Sequence, residues 1–195
     1  MSVPIGLTAA GASVPARIEP GEDAGAATVR VALVTLGCAK NLVDSEIMAG
    51  LLASGGFSTT ASPEEADVAI VNTCAFIGPA QKESIDRILE MAALKREGRL
   101  RGLVVAGCLA QRFQGEILRE IPEVDAVVGT GQVEAIVRVA HRVRRGAEAP
   151  LLEVGPAGTA VDLAAHRAVS TPRHLAYLRI ADGCDFRCTF CIIPT

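Results

Sequence analysis

The chain has 195 residues, half of them hydrophobic and about a fifth charged, with a net charge of −3. That length allows one full domain and part of a second, and the apolar share can build a sizeable core. The charge balance projects no global basic field at nucleic acid, and no apolar run approaches the ~20 residues needed to cross a bilayer.

Aromatic residues are scarce, with five Phe, one Tyr and no Trp. The core must therefore come from Ala, Val, Leu and Ile, the composition of helices packed on a parallel sheet. Residues 1–28 are rich in Ala, Gly and Pro and lack the basic start and continuous apolar stretch of a signal peptide. They are expected to form a disordered leader on a cytoplasmic protein with no membrane partner. Six cysteines in such a chain point to metal or redox chemistry rather than structural disulfides.

A regular pattern starts at Val29. Residues 29–37 (VRVALVTLG) predict a buried strand. A helix follows, with Asn41 or Asp44 as its cap, Val43, Ile47, Met48 and Leu51 on its inner face, and Gly55-Gly56 at its end. Residues 57–60 predict a second strand, 63–65 a turn, and 67–73 (DVAIVNT) a third strand. Pro79 suits the first turn of a helix reaching about Arg96, with Ile85, Ile88, Leu89 and Ala92 facing inward. Residues 103–107 predict a fourth strand, about 116–120 a helix, 124–129 a fifth strand, and 132–145 a last helix. The basic end of that last helix, Arg142, Arg144 and Arg145, complements its dipole.

Strands alternating with helices mean right-handed βαβ units and a parallel sheet. The fold class is therefore α/β, a flavodoxin-like or Rossmann-like sheet domain over 29–145. Residues 146–172 predict a linker, and 175–181 (LAYLRIA) a new strand opening a second unit over 173–195.

The spacing of the cysteines separates them into two sets. Cys184, Cys188 and Cys191 form a C-x3-C-x2-C run, CDFRCTFC. Three thiolates on one short loop can hold three irons of a cubane cluster and leave the fourth open to a chelating ligand. A structural zinc loop is the plainer alternative, but zinc usually takes four ligands and no fourth is evident. Cys38, Cys74 and Cys108 are far apart in sequence, yet each follows a predicted strand. A parallel sheet then puts all three at its carboxyl edge, where open α/β folds place their ligands. A single cysteine there would more often be a packed core thiol. Three in the same topological position favour a second metal centre. His141, His166 and His174 stand away from every cysteine motif, and helix-terminal arginines such as Arg138 read as solvated. No G-x-G-x-x-G or P-loop pattern is completed.

With Phe190 just before its last cysteine, the run CDFRCTFC resembles the signature of radical S-adenosylmethionine (SAM) enzymes. The resemblance implies that the open iron binds the amino and carboxylate groups of SAM, which is then cleaved to methionine and a 5′-deoxyadenosyl radical. It also implies that Phe190 lies near the cofactor's adenine. Together with TLGCAKN around Cys38, NTCAFI around Cys74 and VAGCLAQR around Cys108, it makes four motifs in the order found in the radical SAM methylthiotransferase family. In that family a front α/β domain holds an auxiliary cluster, a radical SAM (β/α) barrel holds the other, and a small RNA-binding-type domain follows. The resemblance thus implies two [4Fe-4S] clusters, held by Cys38, Cys74 and Cys108 and by Cys184, Cys188 and Cys191, with SAM as cofactor.

Within the family, Ala39-Lys40-Asn41, Val43-Asp44-Ser45-Glu46 and the Glu-Ser-Ile run in helix 81–90 are similar to the RimO branch. That branch methylthiolates the β-carbon of an aspartate in small-subunit ribosomal protein twelve. The partners implied are that ribosomal protein, RNA through the C-terminal domain, and an electron donor the sequence does not identify. The MiaB-like branch, acting on a tRNA adenosine, tends to show Gln-Met-Asn where this chain has Ala39-Lys40-Asn41. Readings from other classes are a non-catalytic iron–sulfur module and a flavin-binding flavodoxin-like domain. The chain stops four residues after Cys191, so only the first strand of a truncated barrel is expected, and the chain alone is expected to be inactive.

Overall fold

The computed structural model describes residues 3–4, 29–146, 148–156, 167–180, 183–184 and 186–191. Most of the expected leader, part of the expected linker, His166 and the last four residues lie outside these. Among the described residues seven strands form one sheet: β1 (Val3–Pro4), β2 (Arg30–Thr35), β3 (Ser58–Thr60), β4 (Val68–Thr73), β5 (Gly102–Gly107), β6 (Ala126–Val128) and β7 (Leu151–Glu153). Four α-helices accompany them: α1 (Ala39–Ser54), α2 (Gly78–Arg96), α3 (Cys108–Glu120) and α4 (Ile136–Arg144).

Six strands, β2 to β7, pair in parallel in the order β3-β2-β4-β5-β6-β7. Counted in chain order that is 2-1-3-4-5-6, the flavodoxin-like order with one strand added, and the expected Rossmann-like class holds. β4 occupies one side of β2. The other side is shared: β3 pairs with its first half from Arg30 to Ala32, and β1 runs antiparallel along Val34 and Thr35.

The side-chain period of two splits the strands between two cores. Val31, Leu33, Val68, Ile70 and Val104 pack under α1 and α4 with Ile47, Leu52, Ile136 and Val143. Their neighbours Ala32, Val71, Leu103 and Val105 pack on the opposite face with Ile88, Met91, Ala92 and Leu109 of α2 and α3. The result is a three-layer sandwich whose central strands β4 and β5 are buried from end to end.

Several expectations need correcting. Asn41 and Asp44 do not cap α1: its N-cap is Cys38, and both residues are buried inside the helix. On α2, Ile88 and Ala92 face the sheet, but Ile85 and Leu89 are 42% and 46% exposed. These two line a groove of about 290 Å³ with Leu109, Phe113 and Ile117 of α3. Helix α3 begins at Cys108, well before the expected 116, and is kinked at Gln114, where φ is 31°. The expected linker contains β7, which pairs with β6 from Ala126↔Leu151 to Val128↔Glu153. Residues 175–180, expected to start a strand, make no strand pairing among the described residues, and Ala181 lies outside them. They belong instead to an irregular strap, residues 167–180, that lies against α1. Among the described residues of 173–195 no strand is formed.

Candidate metal centre

The strand order reverses between β2 and β4, and open α/β sheets bind ligands in the crevice at the carboxyl end of such a switch point. Cys38 follows β2, Cys74 follows β4, and Cys108 follows β5, the next strand over. The three front cysteines therefore stand at adjacent positions along one sheet edge. Cys38 is exposed, Cys74 is buried and Cys108 is half-buried. The charges of Cys74 and Cys38 both act on Cys108.

Two glycines make this approach possible. Gly37 turns β2 into α1 with φ +90°, and a Cβ there would lie 2.6 Å from the Cys74 Cβ and 3.0 Å from its Sγ. Gly107 turns β5 into α3 with the same φ, and its Cβ would lie 2.3 Å from the Asn72 Oδ1. Only a hydrogen fits at either place, and the positive φ is open to glycine without strain. As a result Cys38 caps α1 and Cys108 begins α3, so two helix N-termini point their free N–H groups and dipoles toward the same edge. Helix N-termini favour anionic sulfur, an effect that burial outweighs at Cys108.

A buried polar layer beneath the cysteines fixes the loops. The Asn41 amide donates to the Leu36 carbonyl at 2.9 Å and to the Thr73 carbonyl at 2.8 Å, tying the ends of β2 and β4 together. The Asn72 amide donates to the Asn41 carbonyl and to Ser45 Oγ, and Thr35 Oγ1 donates to the same serine. Asn72 Oδ1 has no hydrogen-bond donor and rests against Gly107. Ser84 of α2 accepts from the Cys74 N–H and donates to the Cys74 carbonyl, both at 3.0 Å, while Gln81 donates to the Ala75 carbonyl. Thr73 Oγ1 donates to the Ala106 carbonyl. Asn41, Asp44 and Asn72 stand beside the cysteine motifs in sequence, which marks them as neighbours of these loops. Ser84 was noticed only as part of the Glu-Ser-Ile run, and nothing in the sequence marked it as the hydrogen-bond partner of Cys74.

Burial pushes the Cys108 thiol up to about 11, helped by Cys74, while Lys40 pulls it down; Cys38 and Asp44 raise it further. In the metal-free chain this thiol keeps its proton, and a metal that binds it must displace that proton. Among the described residues no three His, Cys, Asp or Glu side chains are drawn tightly enough together for a single metal ion. A polynuclear cluster asks for something different, since each thiolate binds its own iron. Three soft thiol donors and two helix N-termini at one sheet edge are of the donor chemistry that iron–sulfur clusters take.

The second set stands beyond the strap. Cys184 and Cys188 are exposed, Cys191 is half-buried, and the Cys191 N–H donates to the Cys188 carbonyl at 3.0 Å in a tight turn. Phe190 is 90% exposed. His141 packs its ring on Phe57 at 4.6 Å, as expected of a packing residue, and Arg138 pairs with Glu153 of β7 rather than standing free.

Comparison with known proteins adds to this geometry. The model of the family described as "Uncharacterized protein family UPF0004" matches residues 30–129, just over half of the chain. A protein of Pelotomaculum thermopropionicum is 51% identical over 166 residues, covering 85% of this chain and 37% of its own length. One from Solibacter usitatus is 48% identical over 170 residues, covering 85% and 34%, and one from Symbiobacterium thermophilum is 45% identical over 180 residues, covering 92% and 37%. All three carry the name ribosomal protein uS12 methylthiotransferase RimO, in agreement with the resemblance carried by the cysteine motifs. The chain spans little more than a third of the length of these relatives. The matched region runs from β2, through all three front cysteines, to the loop after β6, and the chain belongs to the UPF0004 family.

Proposed function

We propose that this chain corresponds to the front part of a radical SAM methylthiotransferase that adds a methylthio group to the β-carbon of an aspartate in ribosomal protein uS12. The observation that carries the reading is the placement of Cys38, Cys74 and Cys108 at the carboxyl edge of adjacent strands beside the switch point. It is supported by relatives of about half identity that bear this name. In this reading Cys38, Cys74 and Cys108 hold one [4Fe-4S] cluster, Cys184, Cys188 and Cys191 hold the other, and Phe190 neighbours the adenine of SAM. When bound, the clusters and SAM supply the sulfur and the one-electron chemistry of hydrogen abstraction. The chain's own residues supply position. Gly37 and Gly107 let the front loops close in, Asn41 and Ser84 hold the backbone of those loops, and the N-termini of α1 and α3 stabilise the charge of bound thiolates. A cytoplasmic setting, an electron donor and the start of a barrel at the second cysteine set belong to the same reading. Activity, substrate and partners are proposed for the whole protein.

The test is anaerobic reconstitution of the 195-residue chain with iron and sulfide, counting iron in the parent and in two triple Cys→Ala variants, one for each set. About eight irons in the parent and about four in each variant are expected of two independent cubanes. No bound iron in any of the three would overturn the reading. Yellow protein purified without added iron, unaffected by either variant, would identify a flavin domain instead.

A further inference from the structure

Helix α1, capped by Cys38, carries two acids about two turns on, Asp44 and Glu46, that are 3% and 1% exposed. Neither is needed to pack the sheet, and a buried carboxylate without partners is strongly destabilising. Both are satisfied by the strap. Glu46 accepts from Arg167 Nε at 2.7 Å, from the Ser170 N–H at 2.6 Å and from Ser170 Oγ at 2.8 Å, and its backbone carbonyl accepts from the Ala168 N–H at 3.0 Å. The second terminal nitrogen of Arg167 also pairs with this carboxylate. Asp44 pairs with Arg179 at 2.6 Å, with the two side chains 4% and 9% exposed. The strap is closed on itself: Arg167 donates to the Tyr177 carbonyl, and Thr171 Oγ1 donates to the Leu175 carbonyl. Both ends of an irregular segment are thus fastened to one turn of one helix by desolvated ion pairs.

We propose that Asp44, Glu46, Arg167 and Arg179 are positioning residues that hold the second cysteine set in a fixed register to the first. Asp44 lies six residues after Cys38 on the helix that Cys38 caps, and Arg179 lies five residues before Cys184. Among the described residues the Asp44–Arg179 pair thus joins a point six residues from the first set to a point five residues from the second, and Glu46 with Arg167 and Ser170 keeps the strap from pivoting about it. A buried ion pair is weak evidence for stability, while in some proteins such pairs fix one register or geometry. A segment with little apolar burial of its own, with Leu178 and Ile180 mostly exposed, gains its placement from them. This inference rests on the reading that the two cysteine sets work together.

The experiment uses the metal-free 195-residue chain with only Cys38 and Cys184 retained, both spin-labelled, and measures their separation by pulsed dipolar spectroscopy. A narrow distance distribution is expected. In Arg167→Met/Arg179→Met it should broaden at least about twofold as the segment becomes a tether. Arg179→Lys, which keeps the charge, should retain most of the narrow component. Hydrogen exchange of the β4 and β5 amides should stay unchanged in every variant, which a general loss of fold would not allow. A distribution already broad in the parent, or one unaltered in the double variant, overturns the proposal, and so does broadening accompanied by loss of β4 and β5 protection. Iron counting on the parent fails or succeeds independently of these distances, so failure of the cluster reading and failure of the clasp are told apart.

Discussion

In the metal-free chain Cys108 titrates near 11 against an ordinary 9.0, because burial disfavours its thiolate. The folded state therefore holds this proton to higher pH than the unfolded state does. The corresponding stability is fully present below about pH 9 and is lost as pH rises through about 11, a change on the order of 2 kcal/mol. Urea unfolding of the parent and of Cys108→Ala between pH 8 and 11 measures it: the parent should lose stability relative to the variant across that window. The neighbouring glycine gives a second outcome. Gly107→Ala puts a Cβ 2.3 Å from Asn72 Oδ1 at a φ of +90°, and should destabilise by on the order of 3 kcal/mol in the same assay. Asn41→Ala strips two buried carbonyls, Leu36 and Thr73, of their donor and should cost about 2 kcal/mol. A loss below about 0.5 kcal/mol would mean that water replaces the amide and that the loops are not fixed by it.

At the scale of elements, α2 shows how far sequence pattern reaches. Ile85, Ile88, Leu89 and Ala92 follow helical spacing, and that spacing correctly gave a helix from Gly78 to Arg96. It misjudged the face, because the sheet side is centred on Ser84, Ile88, Met91 and Ala92. Ser84 hides that face from any apolar count, since it is buried for its two hydrogen bonds to Cys74. Ile88→Ala should accordingly destabilise by about 2–5 kcal/mol, and Leu89→Ala, half exposed over the groove with α3, by under about 1 kcal/mol, both read by thermal or urea unfolding. Comparable losses at the two positions would contradict this orientation. The same reasoning explains the other differences. The kink at Gln114 splits the pattern of α3, leaving only its second half readable. Strand β7 is three residues long beside Gly and Pro, too short for a period. Residues 175–180 are a short apolar run like a buried strand, but a strand needs a ladder partner, and the Arg179–Asp44 pair to α1 and the Arg167 bond to the Tyr177 carbonyl hold them elsewhere. The cysteine edge, by contrast, was readable by counting strands, because in a parallel sheet chain order alone determines which loops share an edge.

For the whole molecule, the distribution of burial sets the order in which parts open. β4 and β5 are covered on both faces and paired on both sides, so their amides open only with global unfolding. β3 and β7 lie at the two sides of the sheet, each three residues long, and should exchange sooner. The strap is held by side-chain pairs and few apolar contacts, yet the Ala168 and Ser170 N–H groups donate to Glu46 in a buried setting. These two amides should therefore exchange more slowly than the amides of exposed Leu178 and Ile180, though faster than those of β4. Hydrogen exchange by NMR on the metal-free chain resolves the order. Ala168 and Ser170 amides as fast as that of Leu178 would mean that their hydrogen bonds to Glu46 do not persist. Strap amides as slow as β4 would make the strap part of the cooperative core, and the two cysteine sets would then unfold together rather than in sequence.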